Sequence, residues 1–373
     1  MDKLTTLHIG TTKTGSTSIQ SFLAKNRAFL ATKGVVFPQA LGATNHNTIP
    51  VYIQGKWVDN GLQARQNIKS AEDYAAFKEE LPQKLIAEVD GLNPDHFIIS
   101  NEHMHSRCFK PAHFKRLKTL LEPVFTDRKI QIVVYLRPQI AHVVSLYSTM
   151  LGHGLTATLD EFILSKMSGR AHDYFNSRVL LDAWVTAFPE ATFFIRPFVN
   201  TSVLEHGVIS DFLETTQLAR FADEMKFEPR RNESMGAWSS ETVRQLNALD
   251  PPLPPHVSQI MLRWIRSELP AGRLQPNMDI AKEFQESFSD DNREVCEAYF
   301  KRNTAVFDVD WSKYATPAGG NAPTPEQLIS LLMKITQKTA ADFDRTKYEA
   351  VLGENPPKPE QLISLLIEIT QTT

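Results

Sequence analysis

Apolar positions along the chain fall alternately into short runs and into stripes at helical spacing. Leu7 and Ile9 form a short run that ends at Gly10. A hydroxyl-rich loop leads from there to Ile19, Phe22, Leu23, Phe29 and Leu30, which predict a helix over 16–33 closed by Gly34. Val35 to Phe37 predict a second strand, ended by Pro38, and residues 39–70 carry no period and predict an irregular segment of a functional or mobile kind. Helical spacing returns over 71–89, His96 to Ser100 fits a buried strand, and 111–124 fits a helix. Ile130 to Leu136 is the clearest strand pattern and is broken by Arg137-Pro138. A helix over 140–150, two helices over 159–188, a strand from Thr192 to Arg196, a helix starting at Val208 and a last helix over 292–307 complete the main body.

Strands alternating with helices predict an α/β fold with a mainly parallel central sheet flanked by helices on both faces. Ligands of such sheets bind beyond the carboxyl ends of the strands, where Lys13, Glu102 and Arg137 are expected to converge. The division expected is an α/β domain over 1–315 and a helical C-terminal appendage over 316–373.

Composition narrows the class. With 373 residues, 42% hydrophobic and 22% charged, the chain is long enough for a large core and has the make-up of an ordinary globular protein. A net charge of -3 gives no global pull toward nucleic acid or an anionic membrane. Cys108 and Cys296 are far apart and in no metal-ligand spacing, which predicts buried thiols in a reducing compartment. Met1-Asp2-Lys3 runs almost directly into the first strand, and no apolar stretch of about 18 residues appears, so a cytoplasmic protein is expected.

The candidate chemistry lies in the loop Gly10-Thr11-Thr12-Lys13-Thr14-Gly15-Ser16-Thr17. Between a strand and a helix, such a loop turns backbone N–H groups toward an anion at the positive end of the helix dipole, and Lys13 adds a full charge. A Walker A loop has its lysine directly after the second glycine; here Ser16 follows Gly15 and the lysine sits inside the loop, against an ordinary nucleotide triphosphatase. Arg137 at a strand end, with Ser145 eight residues on, supplies a planar fork of donors and a hydroxyl that suit a second phosphate.

Lys13-Thr14-Gly15-Ser16-Thr17 with Gln20 resembles the 5′-phosphosulfate loop of sulfotransferases that use 3′-phosphoadenosine 5′-phosphosulfate (PAPS), and Arg137-Pro138 with Ser145-Leu146-Tyr147 resembles their 3′-phosphate motif. Gly34 to Pro38, Ser100-Asn101-Glu102, Arg196-Pro197-Phe198 and Arg231-Asn232-Glu233-Ser234 are smaller matches, and the similarity spans roughly residues 4–311, closest to bacterial and carbohydrate-type members. Departures are Ser16 for a frequent threonine, Asn101 for a frequent serine, and no second arginine between Gln139 and Val144, a gap that Arg230 or Arg231 could fill.

The resemblance implies a P-loop-NTPase-like sulfotransferase fold and transfer of a sulfuryl group from PAPS to a hydroxyl or amine of an acceptor such as a carbohydrate, with PAP as product and no metal. It implies Lys13 as the catalytic cation, and a donor site made by Thr12, Lys13, Thr14, Gly15, Ser16, Thr17, Arg137, Ser145 and Arg231. Glu102 is the first choice for the base, with His46, in the irregular loop, and His103 in reserve. Residues 39–70 and 151–180 are expected to shape the acceptor pocket, with Tyr52, Trp57 and Tyr174 as candidates for stacking on a sugar or for plain packing. The competing readings are a P-loop-type kinase, which needs a Walker lysine and an acidic magnesium ligand that the pattern lacks, and a non-catalytic interaction protein organised by the C-terminal tail. A small-molecule or glycan acceptor is the expected partner, with no nucleic acid and no membrane.

The tail carries a duplication. Residues 323–339 recur as 357–373 with differences only at 324/358, 333/367, 334/368 and 338/372, so 13 of the 17 positions are identical. Thr324, Pro325 and Gln327 give the first copy a strong helix start, and Lys358 gives the second a weaker one. Leu328, Leu331, Leu332 and Ile335 share one face, as do Leu362, Leu365, Leu366 and Ile369. Helices this short are marginal unless the stripe is buried, either against the body of the protein or in a homo-oligomer. Deleting 318–373 and measuring mass by light scattering separates the two: a drop in oligomeric mass assigns the stripes to self-association, and an unchanged mass assigns them to docking.

Overall fold

A computed structural model describes residues 3–198, 204–227, 236–248, 262, 265, 274–301 and 304–315. Arg230, Arg231 and the duplicated tail helices lie outside these residues. The elements run β1 (Leu4–His8), α1 (Ser16–Lys25), α2 (Arg27–Thr32), β2 (Val35–Val36), α3 (Thr48–Gln54), α4 (Gly61–Ala64), α5 (Ala71–Val89), β3 (His96–Ser100), α6 (His103–Arg107), α7 (Pro111–Phe125) and β4 (Lys129–Leu136). They continue as α8 (Gln139–Leu151), α9 (Leu159–Leu164), α10 (Gly169–Asp173), α11 (Ser177–Ala187), β5 (Thr192–Pro197), α12 (Val208–Thr215) and α13 (Ala237–Asn247), followed by helices Met278–Glu286, Ser289–Tyr299 and Ser312–Ala315.

The five strands form one sheet in the order β2-β3-β1-β4-β5, and every pairing is parallel. β1 is central: Leu4 to His8 lie opposite His96 to Ser100 on one side and Lys129 to Val133 on the other. The chain fills one half of the sheet with β2 and β3 and then crosses β1 to add β4 and β5. β1 is therefore the point at which the winding reverses, and a crevice opens at its carboxyl end.

Alternate residues of the strands serve two apolar layers. Leu7, Ile9, Phe97, Ile99, Ile132, Val134 and Leu136 face a core built with α3, α5, α7 and α11, while Ile98, Val133 and Tyr135 face α1 and α12 through Ile19, Phe22, Leu23, Phe212 and Leu213. Cys108 and Cys296 are free and buried, as the spacing predicts. No helix of the described residues is long and apolar enough to cross a membrane.

Among the described residues, one compact unit takes those within Met1–His142, Ser168–Arg230 and Gln285–Asp308, and includes the whole sheet. A second takes those within Val143–Met167, Arg231–Phe284 and from Val309 onward. Inside the second unit the Tyr147 hydroxyl donates to the Ala157 carbonyl at 3.1 Å, and Asn247 Nδ2 donates to the carbonyls of Leu151 and Leu155 at 2.8 and 2.9 Å.

Four elements differ from the pattern-based expectation, each through contacts that a local pattern cannot carry. The helix expected over 16–33 breaks at Asn26, whose side chain donates to the carbonyls of Phe22 and Lys226 and accepts from Lys226 N–H at 2.8 Å. The segment 39–70 holds α3, which shows no stripe because Thr48 to Ile53 are all buried. Residues 159–188 form three helices, the last started by Asn176 Oδ1 accepting from the N–H groups of Arg178 and Val179. The last expected helix ends at Tyr299, and a separate 3-10 turn follows over Thr304–Val306.

The sheet also buries histidines. Burial pushes His8 and His46 down to about 3 and His96 to about 4. Below pH 6.5 the unfolded chain binds protons that these rings refuse, so the stability present above 6.5 is lost as pH falls toward their folded values, at about 1.4 kcal/mol per pH unit for each ring. The urea midpoint is expected to fall between pH 6.5 and 4, and His46→Gln to make that fall shallower.

Candidate functional site at the carboxyl end of the sheet

The loop after β1 is pinned to β4. Tyr135 N–H donates to the Gly10 carbonyl at 2.8 Å, and Thr11 N–H donates to the Tyr135 carbonyl at 3.3 Å. Thr11 Oγ1 adds a third bond to the same carbonyl, at 3.1 Å. The loop then curls on itself, with Thr14 Oγ1 and Ser16 Oγ donating to the Thr11 carbonyl at 2.7 and 3.1 Å. Three residues take positive φ, Gly10 at 105°, Lys13 at 64° and Gly15 at 79°. For a lysine that conformation is uncommon and is held here by the surrounding bonds.

The curl leaves Lys13 and Thr17 exposed and buries Thr14 and Ser16. Through these bonds Thr14 and Ser16 shape the loop, and Thr17 stands at the open start of α1. The N-cap of α1 is Gly15, with no side-chain cap, so the first N–H groups of the helix have no side-chain acceptor.

Arg137 leaves β4 and donates from Nη1 to the Lys13 carbonyl at 2.8 Å, with its guanidinium 5.5 Å over the Phe198 ring. Glu102 follows β3 and touches the same loop: a Cβ placed on Gly10 would stand 3.2 Å from Glu102 Cα. Its carboxylate accepts from Gln20 Nε2 of α1 at 2.7 Å. Asn101 sets the turn, its Oδ1 accepting from His103 N–H at 2.9 Å and its Nδ2 donating to Asn47 Oδ1 at 2.7 Å. Lys13, Glu102 and Arg137 thus emerge at one end of the sheet, as the alternation of strands and helices predicts.

The two reserve histidines have different fates. His103 is half-buried, with Nε2 3.9 Å from Glu102 Oε1; burial lowers its pKa and the Glu102 charge opposes that. His46 is not in an open loop: it is fully buried, stacks on Phe37 at 4.3 Å, and its Nδ1 accepts from Ser100 N–H at 3.2 Å. A ring sealed in this way is held neutral and does not meet an acceptor. Tyr52 is likewise buried, under the Lys78 ammonium, and so serves packing rather than sugar stacking. Ser145 is half-buried on the part of α8 that belongs to the second unit.

A polar cluster backs the loop and joins Thr12 and Tyr174 to two histidines, His105 and His142, that the sequence pattern does not single out. Thr12 Oγ1 lies 2.9 Å from His142 Nε2 and 2.5 Å from the Tyr174 hydroxyl, and His105 Nε2 donates to the Tyr174 carbonyl at 2.8 Å. His105, His142 and Tyr174 line a small cavity with Thr11, Arg137 and Asn176. Burial, followed by the charges of His105, Arg137 and Lys13, holds His142 well below the usual histidine range. Burial lowers His105 to about 4 and raises Tyr174 to about 12. The one local hint was that His142 falls inside the run from Arg137 to Ser145.

The arrangement offers two cations, an uncapped helix start and a carboxylate around one exposed loop. Such a set can hold a polyanion and take a proton from a group brought beside it. Among the described residues no cluster of histidine, cysteine and acidic side chains could hold a metal ion. Comparison with family models, with curated proteins and with solved structures gives no match for the chain.

Gly15 is the tightest point of the loop: a Cβ there would meet Val208 Cγ1 at 2.6 Å and Phe198 Cε2 at 3.4 Å, at a left-handed φ. The conformation costs an alanine about 1 kcal/mol and the overlap about 1–3 kcal/mol more. Gly15→Ala is expected to lower stability by roughly 2 kcal/mol or more, read by urea unfolding, and to disturb the loop before the rest of the sheet.

Proposed function

We propose that the protein has a P-loop-NTPase-like sulfotransferase fold and transfers a sulfuryl group from PAPS to a hydroxyl or amine of a small-molecule or glycan acceptor. The observation that carries this reading is the bond from Arg137 to the Lys13 carbonyl, which ties the loop lysine and the strand-end arginine into one anion-binding corner. A donor with two separate phosphate groups needs two cationic points, and this corner supplies both.

The donor's 5′-phosphosulfate would lie against the N–H groups of residues 12–17 and the ammonium of Lys13. Arg137 would serve the 3′-phosphate. The acceptor oxygen or nitrogen attacks sulfur, the bond from sulfur to the bridging phosphate oxygen breaks, and PAP leaves with the electron pair. Negative charge grows on that oxygen, so a fixed ammonium stabilises the transition state more than the ground state. The acceptor's proton passes to Glu102, whose carboxylate Gln20 holds in place. Since Lys13 supplies the positive charge, the reaction needs no divalent cation.

Titration calorimetry with PAP, beside ATP with magnesium, tests the donor: PAP binding is expected, and binding of ATP with magnesium alone would replace the reading with a kinase. With labelled PAPS and a panel of hydroxylated acceptors, turnover is expected to persist in EDTA. Lys13→Ala is expected to lower kcat by about 100-fold or more, in line with loss of one transition-state donor, and wild-type turnover in that variant would overturn the assignment.

A further inference from the structure

The polar cluster behind the loop is centred on the Thr12 hydroxyl. Burial raises the Tyr174 phenol to about 12, and burial with the charges of His105, Arg137 and Lys13 keeps His142 neutral, so both groups are uncharged throughout the ordinary pH range. Thr12 stands between them with one hydroxyl. Its hydroxyl is within hydrogen-bond reach of both, 2.5 Å from the Tyr174 hydroxyl and 2.9 Å from His142 Nε2. Tyr174 is anchored independently of Thr12: its carbonyl accepts from His105, and its ring packs on those of His105 and Phe175 at 4.6 and 4.9 Å. Packing alone would be complete with a phenylalanine, so the hydroxyl is the part that packing does not explain.

The position of Thr12 gives that hydroxyl a use. Thr12 directly precedes Lys13, the one residue of positive φ in the loop that is not glycine. Its neighbour Thr11 is held by β4, and the Lys13 carbonyl by Arg137. The peptide between those anchors is held through the side chain of Thr12.

We propose that Tyr174 is a positioning residue for the donor loop, acting through the Thr12 hydroxyl to fix the backbone from which Lys13 projects, with His105 holding Tyr174 in turn. The catalytic consequence rests on the function proposed above; the positioning itself does not. Fixing Lys13 through three separate elements preorganises it, and loss of preorganisation falls on kcat rather than on binding.

Tyr174→Phe, Thr12→Val, their combination and Thr12→Ser test the proposal. Hydrogen exchange of the ligand-free protein is the primary readout: Tyr174→Phe and Thr12→Val are each expected to speed exchange of the Thr11 amide, which donates to the Tyr135 carbonyl, about tenfold, with the thermal midpoint little changed. The double variant is expected to match Thr12→Val, which already removes the bond to Tyr174, and Thr12→Ser to keep wild-type exchange. Unchanged exchange in the single variants, or effects that simply add in the double, would overturn the proposal. With PAPS turnover in hand, Tyr174→Phe is expected to lower kcat about tenfold while the acceptor KM stays within about twofold. A wild-type protein that fails to bind PAP would remove the sulfotransferase reading and leave the exchange result to decide the positioning.

Discussion

The pairing of Gly10 with Tyr135 is the constraint on which the candidate site depends. β1 ends at His8, but its hydrogen bonding to β4 continues through Ile9, Gly10 and Thr11, so the loop starts from a fixed edge. The same glycine lets the chain turn at φ 105° and lets Glu102 approach where a Cβ would intrude. A side chain at this point would crowd the backbone of Glu102 at 3.2 Å and strain the turn at its positive φ. Everything that gives the site its charge, from Lys13 to Arg137 and Glu102, is placed relative to that backbone.

Around this edge the polar groups divide into those that build the loop and those left facing outward. Thr11, Thr14 and Ser16 spend their hydroxyl protons on backbone carbonyls, and Gln20 spends its amide on Glu102. Lys13 and Thr17 face outward. A loop rich in hydroxyls is therefore partly a scaffold, and its cation sits on a backbone that the hydroxyls hold. The buried histidines follow the same division: His8, His46 and His96 are neutral members of the sheet's surroundings, and only His103 sits beside the carboxylate.

Much of the architecture was legible in the chain. The alternation of apolar runs with helical stripes located all five strands, the main helices and their parallel arrangement, because strand and helix periods differ and a parallel strand buried on both faces reads as a continuous apolar run. The convergence of Lys13, Glu102 and Arg137 followed from the rule that such sheets bind ligands beyond their carboxyl ends. What the pattern missed lacked a period of its own. α3 is apolar all round, and the break at Asn26 is made by Lys226, 200 positions away.

The sequence by itself determined the strand–loop–helix with its internal lysine and the arginine at the end of β4, since local backbone preferences and burial periodicity are written in neighbouring residues. Tertiary structure alone decided which hydroxyls of the loop are consumed by the loop, that His46 is sealed in the core, and that His142 and Tyr174 meet at Thr12 with His105 behind Tyr174. Those outcomes depend on elements brought together by the crossing of β1, and contacts between residues tens to hundreds of positions apart leave no mark in a local pattern.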